Sequence, residues 1–347
     1  MVFSACCREP TVIVTAIKSN FMSNKSPSSP NELRKELVSE NLVPDNLVRG
    51  YQGVAQKWEC DHMGHLNVSF YFGRSSDQAF FMRHALGLDP AALRDSGHGT
   101  VALEEHCRFH REVKSGGMMI GRSAVVTPNA RTMVVYQEFR DEHGALQACF
   151  RTVIGYFDTK ARRLVAWPEA TLQKAAALTI DLPEHAAPRR VAAGQPFGQI
   201  SCADTASEGF FRTGGAGVNS WECDQFGHMN TMFYVRRQAE AAPHFWQLVG
   251  LDQPGLLASG RGFAVSEMRM NYISELYEGD MVETFSILRE VSDRGARIEH
   301  RLYNYGTGAL SAVSDTSVVS FDLETRKAAP WPDDVRTLLD PQVVADK

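Results

Sequence analysis

Hydrophobic and polar residues alternate along several stretches of the chain, which is the pattern of half-buried strands. In residues 297–302, three charged side chains alternate with Ile, His and Leu, so we expect one apolar face and one face in contact with water. Other stretches combine alternation with many β-branched residues. They predict strands at Met118–Thr127, Thr132–Arg140, Leu146–Phe157, Met281–Glu290 and Leu310–Phe321.

Two longer stretches, Val68–Leu86 and Thr231–Val249, predict helices. Each is followed by a glycine, Gly87 or Gly250, suited to the left-handed residue that ends many helices. Pro243 lies inside the second stretch and removes a backbone donor, so we expect a kink or a break there. The order of strand, loop, long helix and about four antiparallel strands predicts an α+β fold in which a sheet wraps around a helix.

The chain contains an internal repeat. Residues 58–71 (WECDHMGHLNVSFY) match residues 221–234 (WECDQFGHMNTMFY) at nine of 14 positions, with an offset of 163 residues. The same offset pairs the Gly-Leu-Asp sequences that begin at Gly87 and Gly250, and the last strands match after a shift of one residue. Self-similarity over this length indicates two copies of one domain.

The repeat divides the chain into four predicted segments. Residues 1–45 are expected to be a disordered leader, because Ser23–Pro30 has too few apolar residues to pack, and Met22 offers an alternative start. The two domains are predicted at 46–170 and 211–340. The Ala-rich, Pro-bearing residues 171–210 between them are expected to act as a linker.

Composition and charge restrict the classes of function. The 347 residues carry 36 Lys and Arg against 41 Asp and Glu, a formal net charge of -5, and the basic residues are scattered. A nucleic-acid partner is therefore not expected. The seven cysteines form no Cys-x-x-Cys pair, so no metal, cofactor or disulfide is expected, and a reducing cytoplasm fits best. No apolar run is long enough to predict a membrane span.

The most informative part of the repeat is the segment just before each predicted helix. Asp61 and Asp224 lie near the positive end of the helix, which favours the ionised carboxylate that a nucleophile or base requires. Gly64 and Gly227 can adopt a positive φ or let a ligand approach the backbone closely. The free N–H groups of a helix start can bind an oxygen that gains negative charge, and one such donor contributes about 3 kcal/mol to transition-state stabilisation.

The pattern Trp-x-x-Asp-x-x-Gly-His-x-Asn-x-x-x-Tyr, found twice, resembles that of the hotdog thioesterases related to 4-hydroxybenzoyl-CoA thioesterase. The resemblance covers residues 48–168 and 211–332. It implies a tandem double hotdog, each half an antiparallel sheet wrapped around one long helix. It also implies hydrolysis of an acyl-CoA thioester to the free acid and CoA, in acyl pockets between the two domains.

The resemblance also implies roles for individual residues. Asp61 and Asp224 would attack the thioester carbonyl or activate water, while helix N-terminal amides polarise that carbonyl. Further catalytic candidates are His65, His228, Asn67 and Asn230. The histidines could donate to the substrate or orient the loop, and the asparagines could cap the helix or bind the water. Candidate substrate-binding residues are Gly64, Gly227, Tyr71, Tyr234, Glu104 and Glu267.

Plainer explanations stay open for several residues. Asp61 and Asp224 could merely stabilise the turn, and both histidines could be structural. Cys60 and Cys223 stand beside the aspartates, but neighbours at an extended strand end point to opposite faces, so we expect small buried residues and not nucleophiles.

Charged residues on the helices have similarly plain interpretations. Asp77 and Glu240 are expected to be solvated or paired charges. Three arginines could contact phosphates of a bound ligand, although a solvated helix face is the simpler expectation. They are Arg74, Arg236 and Arg237.

Other functions and assemblies remain in view. An acyl-ACP thioesterase would share the motif, and a non-catalytic acyl-CoA sensor would be expected to have lost its aspartate. A hydratase is disfavoured, because the longer-spaced Asp and His segment of that group is not found. Differences between the copies, such as Ser69 against Met232, predict two inequivalent sites. A homodimer of the tandem chain is a further expectation.

Overall fold

The computed structural model describes residues 47–192 and 200–345; the leader predicted at 1–45 lies outside the described residues. Within these ranges eleven strands form one antiparallel sheet. The first repeat supplies β1 (Val48–Val54), β2 (His98–Phe109), β3 (Met118–Pro128), β4 (Thr132–Arg140), β5 (Leu146–Asp158) and β6 (Arg163–Leu164). The second supplies β7 (Phe211–Gly217), β8 (Arg261–Tyr272), β9 (Met281–Ser292), β10 (Gly295–Asn304) and β11 (Leu310–Asp322). The strands predicted from alternation are confirmed to within a few residues.

The sheet is continuous across the two repeats. Its order is β1-β3-β4-β5-β2-β8-β11-β10-β9-β7, with β6 beside β5, so each repeat contributes five neighbouring strands in mirrored order. The junction is the antiparallel pair of β2 and β8, where His106 lies opposite Arg269. These two positions are equivalent at the offset of 163, so a pseudo-twofold axis passes through the junction.

The two predicted long helices are confirmed as α1 (Val68–Ala85) and α5 (Thr231–Leu248). They pack side by side on the concave face of the sheet, and Gly73 of α1 contacts Met232 of α5. Their cores merge, because Phe72 and Val235 belong to one buried cluster. The predicted break at Pro243 is wrong, because α5 continues through the proline and is 18 residues long, the same length as α1. The buried side chains that follow Pro243 anchor the last turn.

In the described ranges five shorter α-helices accompany the sheet, although the sequence predicted one helix per copy. They are α2 (Pro90–Ser96), α3 (Glu169–Ala177), α4 (Cys202–Ser207), α6 (Gln253–Ala258) and α7 (Asp333–Leu339). The repeated Gly-Leu-Asp marks two of them, because Asp89 and Asp252 accept backbone hydrogen bonds at the starts of α2 and α6. Helices of six to nine residues are too short for a clear 3.6-residue period.

The charged face of β10 is buried, and the prediction that water would cover it is wrong. Glu299 is 4% exposed, and Arg301 donates to it at 2.7 Å. Arg301 also donates to Thr205 of α4 and to Glu208, which follows that helix. The chain between the repeats therefore folds back over this face, where opposite charges and hydroxyl groups pair in place of water.

Candidate active site

Each motif aspartate holds a tight turn before its helix. The Oδ1 atom of Asp61 accepts the N–H groups of Met63 and His65 at 2.9 and 3.1 Å. Asp224 repeats this arrangement with the second copy's loop at 2.8 and 3.1 Å. Both aspartates remain exposed. Both aspartates therefore stabilise the turn, and this role occupies only one carboxylate oxygen of each residue.

The two motif glycines adopt the left-handed backbone conformation. Gly64 has φ +78° and Gly227 has φ +80°, and a Cβ atom at either position would meet no atom within 4 Å. The turn conformation therefore accounts for glycine at these positions, independently of crowding.

A buried ion pair fastens each turn to its helix. Arg74 of α1 donates to both oxygens of Glu59 at 2.6 and 2.7 Å. Arg237 of α5 donates to Glu222 at 2.6 Å, and Arg236 pairs with an exposed glutamate of its own helix, Glu240. All three arginines proposed as phosphate contacts are thus engaged within the protein.

The motif histidines each face a glutamate from the loop after β2 or β8. His65 Nε2 lies 3.3 Å from Glu112, and burial lowers the pKa of His65. His228 Nε2 lies 3.7 Å from Glu275. Burial would raise the pKa of Glu275, but hydrogen bonds from Arg162 and a tyrosine outweigh it, and the net pKa is lowered. This places a carboxylate behind each ring, in a position to orient it.

The motif asparagines cap the helices. Asn67 accepts the N–H of Ser69, and Asn230 accepts the N–H of Met232. Among the described residues, the N–H of Thr231 at the start of α5 has no acceptor. That donor is available to an oxygen that approaches the helix start.

A cavity of about 640 Å³ lies between the repeats and contains only one of the two aspartates. Repeat two supplies the Asp224 loop and the start of α5, and repeat one supplies the C-terminal half of α1 and the inner face of β2. Four predicted site residues line the cavity: Asp224, His228, Asn230 and Tyr234. The remaining predicted residues are not among its lining: Asp61, His65, Asn67, Gly64, Gly227, Tyr71, Glu104 and Glu267.

Glu104 and Glu267 lie at the junction of the two repeats. Glu104 accepts from Arg151 at 2.7 Å and from Arg269 at 3.0 Å. Glu267 lies 2.7 Å from His106 Nε2 and accepts backbone N–H groups of residues 189–191. These buried contacts join the repeats and the intervening chain, so their geometry is that of structural ion pairs.

Several cavity residues were not predicted from the sequence. Arg83 lines the cavity, donates to Thr100 at 3.4 Å and lies over the ring of Phe80 at 4.2 Å. Burial lowers the pKa of Arg83, while the negative charge of Asp224 acts in the opposite direction. The guanidinium group is therefore close enough to Asp224 for their charges to interact.

Glu105 is the second cavity residue that the sequence reasoning missed. It is 3% exposed, accepts the Tyr272 hydroxyl at 2.6 Å and lies 3.2 Å from the Ser75 hydroxyl. The Thr231 hydroxyl lies nearby and is 3.2 Å from the hydroxyl of Ser76. Burial raises the pKa of Glu105 to about 7, although the hydroxyl donors act to lower it. Such a buried acid in a cavity is a functional-site candidate.

Most equivalent positions in the other half are apolar, although Ser75 corresponds to Gln238. At the offset of 163, Glu105 corresponds to Met268, Tyr272 to Phe109, Thr231 to Val68, and Ser76 to Ala239. Comparison of the copies at their differing positions, instead of their identical ones, would have revealed this polar cluster.

Aromatic side chains fill the pseudo-equivalent site near Asp61. Arg83 and Thr100 correspond to Trp246 and Phe263, whose ring centroids lie 4.8 Å apart. Trp246 is 2% exposed and belongs to a buried cluster with Trp331. The space that Arg83 and Thr100 border in one half is thus packed in the other.

The remaining predicted residues have ordinary surroundings. Cys60 and Cys223 are partly exposed, and burial raises the pKa of both thiols, which disfavours the nucleophilic thiolate. Asp77 is exposed. Among the described residues, no helix has the length and apolar character needed to cross a membrane.

Comparisons with known proteins agree with this architecture. A family model described as the thioesterase-like superfamily matches residues 54–175 and 218–339. The betainyl-CoA thioesterase of Pseudomonas aeruginosa is 29% identical over 112 residues, which make up 32% of this chain and 70% of that protein. The L-carnitine dehydrogenase/betainyl-CoA thioesterase of Agrobacterium fabrum is 28% identical over 178 residues, 50% of this chain and 37% of that protein.

Solved structures share the fold over most of the chain. An acyl-ACP thioesterase from Bacteroides thetaiotaomicron has a TM-score of 0.59 at 15% identity, covering 79% of this chain and 98% of that chain. The 12:0-ACP thioesterase from Umbellularia californica has a TM-score of 0.59 at 13% identity, covering 80% and 95%. The tandem hotdog fold is confirmed, and the match of the family model to both repeats shows that the chain belongs to the thioesterase-like superfamily.

Proposed function

We propose that the protein hydrolyses an acyl-CoA thioester in the cavity that contains Asp224. The observation that carries this proposal is the meeting of an exposed carboxylate, an unpartnered helix N–H and a cavity of about 640 Å³ at one place between the repeats. A cavity of this size is typical of small-molecule sites. Membership of the thioesterase-like superfamily supports the same reaction class.

The chemistry follows from the positions of three groups. The thioester carbonyl would accept the N–H of Thr231, which stabilises the negative charge that develops on its oxygen. Asp224 either attacks the carbonyl carbon, forming an anhydride that water then cleaves, or removes a proton from the attacking water. Both routes break the carbon–sulfur bond and release the acid and the thiol.

Arg83 and His228 would assist without reacting themselves. Arg83 lies close enough to Asp224 for their opposite charges to attract. Glu275 stands behind His228 at 3.7 Å and orients the ring toward the cavity that both residues line.

We assign CoA as the thiol carrier. The two relatives found by sequence are named for CoA thioesters, whereas the solved structures named for acyl carrier protein are only 15% and 13% identical. An acyl-ACP thioesterase is the alternative within the same reaction class.

The hydrolase proposal is tested by thiol release from acyl-CoAs of different length and polarity, detected with a thiol-reactive dye. Parallel assays with the same acyl groups on acyl carrier protein decide the carrier. Steady turnover of at least one CoA ester supports the proposal. Tight binding of acyl-CoA without thiol release, measured by calorimetry, would instead indicate a sensor.

A further inference from the structure

Glu105 is a buried carboxylate that the fold itself does not require. The same strand position in the other half holds Met268, which is 3% exposed and packs in the shared core. Burial of a carboxylate costs free energy that burial of methionine does not. Because one half of this protein folds without the acid, its retention at the open site points to a task there.

The partners of Glu105 are hydroxyl groups. Tyr272 donates at 2.6 Å, and the Thr231 hydroxyl lies close enough to lower the pKa of Glu105. The Ser75 hydroxyl has one proton and lies closer to Gln137, at 2.5 Å, than to Glu105, at 3.2 Å. No Lys, Arg or His of the described chain forms an ion pair with Glu105.

The charges around the cavity leave Glu105 without a counterion. Three carboxylates and two guanidinium groups line the described cavity. Arg162 donates to Glu275, and Arg83 interacts electrostatically with Asp224. The carboxylate that remains is Glu105, so the cavity carries one uncompensated negative charge when this residue is ionised.

The position of Glu105 relates it to the reacting carbonyl. The Thr231 side chain lies beside Glu105, and the N–H of Thr231 has no acceptor among the described residues. An acyl carbonyl bound at that N–H would therefore have its α-substituent beside Glu105. The rings of Tyr234 and Tyr272 line the same region, and aromatic faces attract quaternary ammonium groups.

We infer that Glu105 makes this site selective for acyl groups with a positively charged ammonium centre close to the thioester carbonyl. The inference rests on the proposed hydrolase function and names the substrate class of the same site. Glu105 and the two tyrosine rings would surround the cation, while the charge of Arg83 is matched by Asp224.

The test compares two CoA esters of nearly equal shape. Trimethylglycyl-CoA carries a quaternary nitrogen, and 3,3-dimethylbutanoyl-CoA has carbon in its place. The full-length protein is expected to show a kcat/KM at least about 10-fold higher for the cationic ester, because a desolvated cation held against aromatic rings and a carboxylate typically gains that factor or more. Glu105→Gln, which keeps the shape, should abolish the preference mainly by raising KM for the cation.

Two further variants keep the test decisive. Glu105→Met copies the residue of the other half and should also lose the preference. Asp77→Asn removes an exposed carboxylate from the same repeat and should retain it. An equal or higher kcat/KM for the neutral ester, or a preference that survives Glu105→Gln, overturns the specificity and leaves the hydrolase intact. Absence of thiol release from both esters and from the wider panel overturns both proposals.

The ratio of the two kcat/KM values should also rise with pH through about 7, where Glu105 ionises. Titratable groups near it are Cys107 on the same strand and Tyr272 on β8, both with pKa values raised by burial, while α1 and α5 contribute hydroxyls. The ratio cancels any pH dependence that the two esters share. A ratio independent of pH would contradict the role of the ionised carboxylate.

Discussion

The two pseudo-equivalent sites of this chain share a motif and differ in almost everything around it. Both have the aspartate turn, the left-handed glycine, the asparagine cap and the histidine–glutamate contact. Near Asp224 the polar cluster around Glu105 borders a cavity, whereas near Asp61 most equivalent residues are apolar and Trp246 and Phe263 pack together. The turn is thus a property of the fold, and the cavity is a property of one site.

The strongest way to break this comparison is to remove each carboxylate separately. Asp224→Asn should lower kcat by about a thousand-fold, because positioned acid–base or nucleophilic groups contribute 10²–10⁴-fold. Asp61→Asn should leave kcat within about twofold, since its side chain does not border the cavity. Thiol-release kinetics with purified variants measure both. Equal losses would mean that two sites turn over.

The free energy of unfolding should depend more on the packed half of the protein than on the half that contains the cavity. Trp246→Ala should reduce the free energy of unfolding by about 4 kcal/mol, because it empties a packed core. Its counterpart Arg83→Ala should cost less than about 1 kcal/mol, since that side chain borders open space and has one weak hydrogen bond. Urea unfolding of both variants makes the comparison. Similar losses would show that the two positions are packed alike.

The buried acid should make stability depend on pH. The folded-state pKa of Glu105, about 7, exceeds its ordinary value of 4.5, so folding favours the protonated acid and stability falls as pH rises through this window. Glu105→Gln should therefore be more stable than the natural chain by roughly 3 kcal/mol at pH 8, with little difference below pH 4.5. Thermal unfolding at both pH values measures this effect. A difference that does not change with pH would exclude a perturbed acid at this position.

The smallest predicted effect comes from copying the packed aromatic pair, Trp246 and Phe263, into the half that contains the cavity. The double variant Arg83→Trp with Thr100→Phe copies the packed half into the open one and should lower kcat/KM by at least about 10-fold by excluding substrate, since one wrongly placed group is enough to disturb positioning. Its thermal unfolding should stay close to that of the natural chain. Full activity in a folded double variant would show that the acyl group binds elsewhere.

Much of the fold was predictable because its signals are local. The repeat at a fixed offset predicted two copies, and alternation predicted the strands. The cap residues Asn67 and Asn230 correctly marked where both long helices begin. No break forms at Pro243, although the proline removes one backbone donor, and the buried Phe245 and Trp246 follow it in the same helix. The wet face predicted for β10 failed because chain from outside the repeat covers it.

The candidate site was only half predictable for a related reason. The motif identified Asp224, His228, Asn230 and Tyr234, all of which border the cavity. Glu105 and Arg83 were missed because neither belongs to the motif, and their neighbours Thr231 and Asp224 come from the other repeat. The sequence shows that they are polar where the other repeat has Met268 and Trp246. It does not show that these polar positions border a cavity.

The amino-acid sequence by itself determined that there are two domains, where each long helix begins, and that each is preceded by an aspartate turn. Those features depend on neighbours a few residues apart and on a repeat that can be read directly. Tertiary structure alone decided which aspartate faces a cavity. Whether space remains beside a carboxylate depends on the volumes of side chains such as Trp246 and Phe263, which meet only after the strands and helices have packed.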